Sequence, residues 1–247
     1  MDVIEVNKLV TQYGARIIHN ELTFTVKLGE IFIILGGSGC GKSTLLKHLS
    51  RLLTPKSGQI VIDGTDVTFL HQEFLQQAMR PVGFMFQSGA LFGSLTLLEN
   101  VAVPLYKYTS LDRDTIESIA RIKLVMVGLG GFEGYYPHEI SGGMKKRAGV
   151  ARAIALDPKI LLLDEPSAGL DPISADELDD LILELNKVLG ITFVIVTHEL
   201  HSIFKIAQRV IMLGRGNILA EGNPHVLKDS EKPWVSDFFN RRGKFKR

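Results

Sequence analysis

The chain has 247 residues, 45% of them hydrophobic and 22% charged, with a formal net charge of +1. That length suits one large domain, or a domain with a lobe, and a sizeable core; the near-neutral balance offers no global field for nucleic acid. The single cysteine, Cys40, excludes an internal disulfide and a cysteine-rich metal site and fits a reducing compartment. No basic-plus-apolar leader opens the sequence, and no apolar run approaches the roughly 18 residues of a spanning helix, so a soluble chain is expected. Mean hydropathy of +0.16 leaves room for an apolar partner surface, although a large core gives the same number.

Residues 3–10 and 24–26 read as strands flanking a turn-like segment with Tyr13 and Gly14. The apolar, β-branched run 31–35 predicts a buried strand. It ends in Gly36-Gly37-Ser38-Gly39-Cys40-Gly41-Lys42-Ser43, which fits G-x-x-x-x-G-K-[ST] between a strand and a predicted helix over 42–50. Glycines let backbone N–H groups curl round an anion, and the helix points its positive end at the same place. Lys42 is expected to reach the β- and γ-phosphates of a nucleoside triphosphate, and the Ser43 hydroxyl to ligate Mg²⁺. Cys40 lies beside that helix N-terminus, where a thiolate is favoured, or serves there as a small filler residue.

Beyond a loop at 54–58, residues 59–62 form a short strand ending at the Asp63-Gly64 turn, 69–80 look helical, and 83–86 are another strand. Gln87 ends that strand; its amide suits Mg²⁺ or water, and it opens a segment of different texture. Apolar residues at helical spacing predict a helix over 111–128, and Ser141 caps a second over 141–156. Residues 88–157 thus read as a helical lobe, inserted between core portions 1–87 and 158–222. In the first turn of the second helix, Lys145, Lys146 and Arg147 oppose the helix dipole. Either an anion offsets that cost at the open amides of Gly142 and Gly143, or the basic side chains point sideways into solvent.

Strand texture returns at 160–163, 192–196 and 210–213, with a helix at 174–189 between the first two. This alternation predicts an α/β fold with a mostly parallel sheet. Four apolar residues deliver Asp164 and Glu165 at a strand's C-terminal end, where open α/β sheets place function. Asp164 suits Mg²⁺; Glu165 is placed to orient or deprotonate an attacking water. His198 ends the strand 192–196 and can project into the same site. The tail 223–247 carries Lys or Arg at five of its last seven positions, a solvated end or a contact for an anionic surface.

The phosphate loop, Gln87, Ser141-Gly142-Gly143, Asp164-Glu165, Ser167-Ala168-Gly169-Leu170-Asp171 and His198 stand in the order of an ABC-transporter ATPase subunit, which residues 3–225 resemble. The resemblance implies a RecA-like P-loop core with an N-terminal antiparallel β part and an inserted helical lobe, in one domain spanning 1–247. It implies ATP contacts from Tyr13, Gly36, Gly37, Ser38, Gly39, Cys40, Gly41, Lys42, Ser43, Thr44 and Gln87, with Tyr13 stacking on adenine. Mg²⁺ would be held by Ser43, Gln87 and Asp164, and catalysis carried by Glu165, His198 and Lys42. Ser141, Gly142 and Gly143 would act in trans within a head-to-tail homodimer, with Asp171 at its seam. Met144 stands where the family has glutamine, removing an amide.

A finer resemblance rests on Phe86-Gln87-Ser88-Gly89-Ala90-Leu91-Phe92, Glu99-Asn100-Val101-Ala102-Val103-Pro104-Leu105 and the run from Ser141 to Arg147. These segments are similar to the Mla/Mce-associated subfamily, which drives phospholipid traffic between bacterial inner and outer membranes. It implies a membrane permease, an Mce-domain lipid-binding protein and a STAS-domain protein as partners, no nucleic acid, and a place on the cytoplasmic face of the inner membrane. Residues 90–105 are then a candidate permease-facing groove, or ordinary lobe core. The alternatives are the same engine serving another solute and, in another class, a soluble ABC-type ATPase of DNA repair or translation.

Overall fold

The computed structural model describes residues 1–240. In chain order the elements are β1 (Asp2–Tyr13), β2 (Arg16–Lys27), β3 (Ile31–Gly36), α1 (Lys42–Leu49), β4 (Ser57–Ile62), β5 (Thr65–Asp66), α2 (Gln72–Ala78), β6 (Val82–Met85), α3 (Leu97–Tyr108), α4 (Arg113–Met126), α5 (Gly142–Ala153), β7 (Ile160–Asp164), α6 (Pro172–Leu189), β8 (Thr192–Val196), α7 (Leu200–Ile206), β9 (Arg209–Gly214), β10 (Asn217–Gly222), α8 (Pro224–Leu227) and α9 (Pro233–Asn240). The basic end of the predicted tail, 241–247, lies outside the described residues.

A six-stranded sheet in the order β10-β9-β3-β8-β7-β6 forms the centre. β3 pairs in parallel with β8 and β9, and β7 in parallel with β6 and β8; only β10 runs antiparallel, against β9. The inner strands β3, β7 and β8 are buried at every position because both faces are covered. Ile31, Ile33 and Leu35 join Leu161, Leu163, Phe193 and Ile195 in one cluster, beneath the helices. Phe32 and Ile34 join Ile160, Leu162, Val194 and Val196 in the other, with α1 and the second sheet. That second sheet is antiparallel, in the order β2-β1-β4-β5.

The predicted α/β class and the two kinds of sheet are observed, and the structure extends several elements. The β1–β2 hairpin runs through Tyr13, well past the predicted strands. α3 was not foreseen: Pro104 and the β-branched residues of its sequence obscure the helical period. Its start was marked, however, by Thr96-Leu97-Leu98-Glu99, which forms a capping box. Within residues 90–105, Leu97, Val101, Ala102 and Leu105 are buried and Asn100 holds the carbonyls of Phe92, Leu95 and Thr96, whereas Ala90 and Phe92 to Ser94 are exposed. Among the described residues, no helix is long and apolar enough to cross a membrane.

One polar arrangement fastens the two sheets together, and a second is buried within the β1–β2 hairpin. The Arg209 guanidinium spans Glu30 with two bonds of 2.8 Å, also donates to the Thr25 carbonyl and to Glu221, and covers the Phe32 ring at 4.8 Å. Burial pushes the Glu30 carboxyl up, but Arg209 and the Lys27 amide overcome it and hold the group below its ordinary value. On the β1–β2 hairpin, His19 is fully buried, with Nδ1 2.7 Å from the Thr11 hydroxyl. Burial first, then the neighbouring His48, lowers its pKa to about 4, against a contact with the Cys40 backbone that raises it.

Arg209→Ala leaves Glu30 buried without its partner and is expected to cost about 3 kcal/mol, a fall in Tm of roughly 6–12 °C at the usual 2–4 °C per kcal/mol. Because the Glu30 pKa is depressed by folding, this contribution is complete above the unfolded carboxylate value of about 4.3 and fades below it. The gap in Tm between the two proteins should therefore narrow in melts at and below about pH 4. For His19 the sign is the same but the window lies higher: the unfolded chain gains a proton below pH 6.5 that the folded chain refuses until about 4. Stability should fall by about 3 kcal/mol across that window, and His19→Leu should flatten the slope in pH-dependent denaturation.

Candidate active site

The phosphate loop leaves the central strand β3 and enters α1, so its position is set by the most buried part of the sheet. Two glycines are sterically required. At Gly36 (φ 149°) a Cβ would lie 2.4 Å from the Leu213 carbonyl oxygen, and at Gly41 (φ 98°) it would lie 2.5 Å from His19 Nε2. Gly41 is the N-cap of α1 and offers no side chain, which leaves the first amides of the helix to the cleft. The Lys42 ammonium arches over the loop and donates to the carbonyls of Gly36 (3.0 Å) and Gly37 (3.2 Å).

The neighbouring strand ends meet this loop. The Ser43 hydroxyl donates to Asp164 Oδ1 at 2.8 Å. Asp164 is the last residue of β7 and is 6% exposed. Glu165 follows with φ 47°, a left-handed conformation that costs a non-glycine residue about 1–3 kcal/mol and concentrates at functional sites. Its N–H donates to the Val196 carbonyl at 2.8 Å, tying the strained turn to the end of β8. Glu165 Oε1 lies 2.9 Å from Nδ1 of the half-exposed His198, while its buried Oε2 has no hydrogen-bond partner among the described residues.

Residues 36–39 and 41–44, Gln87, Glu165 and His198 line one cleft of about 790 Å³, a size that accommodates a nucleotide. The structure thus gathers most of the expected site. It leaves others outside the cleft's lining: Asp164, which meets it through Ser43; Tyr13, at the end of β1 and 77% exposed; Cys40; Asp171, the N-cap of α6; and Ser141, Gly142 and Gly143. Ser141 does cap α5, accepting from the Met144 N–H at 3.2 Å. The thiolate expected at Cys40 is corrected: burial pushes its pKa up and outweighs the nearby Lys42 ammonium.

Within the basic run of α5, Lys146 departs from both expectations. Lys146 turns inward and is buried, donating to the Gln87 and Glu165 carbonyls, and Arg147 pairs with Glu177 at 3.8 Å. The signal for Lys146 was periodic: it shares a helix face with the buried Gly149 and Val150. Sequence reading also missed Ile18 and Leu200 on the cleft wall, and Asp237 and Phe238, which α9 brings back from the end of the described chain. α9 docks through the buried Val235 and Phe239, the latter 5.7 Å from the Phe204 ring. Nothing local distinguishes these positions, because docking of α9 joins residues far apart in sequence.

A model of the family described as ABC transporter matches residues 19–168. The mkl protein of Mycobacterium tuberculosis, named a probable ribonucleotide transport ATP-binding protein, is 44% identical over 239 residues, which are 97% of this chain and 67% of that protein. MlaF of Haemophilus influenzae, named the ATP-binding protein of an intermembrane phospholipid transport system, is 40% identical over 237 residues, 96% of this chain and 90% of MlaF. Among solved structures, a dimeric ATP-binding cassette in a post-hydrolysis state bound to ADP and Pi has a TM-score of 0.81 at 31% identity, covering 89% of this chain and 98% of that one. Its β3–α1 loop, its acid pair at the end of β7 and these matches across nearly its whole length agree: the chain belongs to the ABC transporter family, as an ATP-binding cassette.

Proposed function

We propose that this cassette hydrolyses ATP to drive a transporter that moves phospholipid between the inner and outer membranes of a bacterium. The observation that carries the catalytic reading is the arrangement of Glu165: one carboxylate oxygen is held by His198, and the other is buried and unengaged beside the phosphate loop. That second oxygen is suited to orient a water molecule and take its proton as it attacks the γ-phosphate. His198 fixes the carboxylate's rotation. Lys42, with three donors, exchanges the loop carbonyls for phosphate oxygens.

The residues fit Mg²⁺ as well. A nine-tenths-buried carboxylate hydrogen-bonded to a hydroxyl, Asp164 with Ser43, is a hard-oxygen pair, and Gln87 lines the same cleft. These three residues would hold the ion, which when bound neutralises charge on the β- and γ-phosphate oxygens. Adenine contact by the exposed Tyr13 belongs to the same reading.

Ser141, Gly142 and Gly143 lie at the start of α5, away from the cleft of their own chain. This favours their use in trans by a second copy, with Asp171 at the seam, as a head-to-tail homodimer requires. The lipid substrate is supported by the extent of similarity to MlaF, nine-tenths of both chains. A membrane permease, an Mce-domain protein and a STAS-domain protein are the partners this reading calls for, with the cassette peripheral on the cytoplasmic face. The printed name of mkl favours a second reading, the same ATPase serving ribonucleotides.

Glu165→Gln should lower ATP turnover by roughly 10²-fold or more while nucleotide binding is retained; normal turnover in that variant refutes the assignment. Lys42→Ala should lose nucleotide binding in a fluorescent-ATP titration. Purification of the complex from membranes, followed by mass spectrometry of bound small molecules, separates the two substrates: phospholipid on the permease or its partners supports the first reading, and ribonucleotide-stimulated ATPase without lipid supports the second.

A further inference from the structure

Lys146 sits behind the catalytic turn, not in the nucleotide cleft. It is 7% exposed, so its ammonium is withdrawn from water at a substantial cost unless it is fully engaged. It is engaged by two carbonyl oxygens, that of Gln87 and, at 3.4 Å, that of Glu165, with the carboxylates of Asp164 and Glu165 nearby. Those carbonyls belong to segments that run straight out of two neighbouring strands, β6 and β7. Gln87 lies beyond the paired residues of β6, and Glu165, whose N–H is tied to Val196 and whose carbonyl also accepts from the Ala168 N–H at 3.2 Å, carries the strained φ of 47°.

The same helix grips the Gln87 segment a second time. Arg152 donates to the carbonyls of Gly89 (2.8 Å) and Ala90 (2.9 Å) and lies over the Phe92 ring at 5.8 Å. A single lysine can serve two acceptors because an ammonium has three donors on a flexible stem. An apolar residue of similar volume would fill the space and hold neither carbonyl.

We propose that Lys146 is a positioning residue for hydrolysis: it fastens the Glu165 turn to the Gln87 segment, and both to the helix that begins at Ser141-Gly142-Gly143. The inference rests on the role of Glu165 given above. Gln87 and Glu165 then approach the nucleotide in a fixed relation to each other, and that relation is set by α5. Lys146 touches no nucleotide atom. Its loss displaces the water-orienting carboxylate without disturbing the phosphate loop, which is anchored separately by β3 and α1.

The test compares Lys146→Met, Lys146→Arg and Glu165→Gln in the full-length chain, with steady-state ATPase kinetics, titration of a fluorescent ATP analogue and thermal melting. Lys146→Met should lower kcat roughly tenfold or more, since an ångström of misplacement is worth that much, with the analogue's Kd changed by less than about threefold. Lys146→Arg, which restores donors of sufficient reach, should recover most of kcat. A kcat within twofold of the parent in Lys146→Met overturns the proposal; so does a loss of kcat that Lys146→Arg fails to recover in folded protein, which marks packing alone. If Lys146→Met does not fold, Lys146→Gln, shorter and with fewer donors, must show the same loss of kcat at retained Kd. Normal turnover in Glu165→Gln refutes the role of Glu165 instead, whatever Lys146→Met does.

Discussion

The 2.8 Å hydrogen bond from Ser43 to Asp164 joins residues 121 apart in sequence, and the active site depends on it. It brings the first turn of α1 against the end of β7, two strands away from β3 in the sheet. The contact forms only if β3, β8 and β7 lie side by side in the observed register. Ile33 opposite Ile195, and Leu163 also opposite Ile195, set that register through fully paired backbones and side chains buried on both faces. A slip of one residue would exchange the two faces of a strand. Both apolar clusters would lose their packing, and Asp164 would move away from Ser43.

Around that frame the site is built from groups under tension. Glu165 keeps an unfavourable backbone conformation because its N–H is held by Val196, its carbonyl by Lys146 and one carboxylate oxygen by His198. Such over-determination is what allows strain to persist. The remaining oxygen is buried and unsatisfied, a cost that folding alone would not select. The packing of neighbouring strand ends holds this costly arrangement in place.

The helical lobe contributes through backbone atoms. α5 reaches out of the lobe to hold the carbonyls of Gln87, Gly89, Ala90 and Glu165 with two basic side chains. The helix that begins at Ser141-Gly142-Gly143 is thus in direct contact with the Glu165 turn of its own chain. A shift of α5 at one end has a mechanical route to the Glu165 carboxylate at the other.

Much of this was legible in the linear sequence. The strand-loop-helix phosphate motif, the apolar strands, the acid pair after β7 and the serine cap of α5 are local features. Each follows from periodicity, glycine freedom or spacing within about ten residues. What local chemistry could not supply was the direction of side chains and the meeting of distant segments. It put Cys40 in a setting that favours thiolate, where burial instead pushes the thiol's pKa up. It offered Lys145 to Arg147 to an anion or to solvent, where Lys146 turns into the protein. It gave no sign that α9 would line the nucleotide cleft. The sequence by itself determined which residues can bind phosphate and activate water. Only the tertiary structure decided which of them share one cleft, because sheet register and helix docking are set by apolar contacts summed over the whole chain.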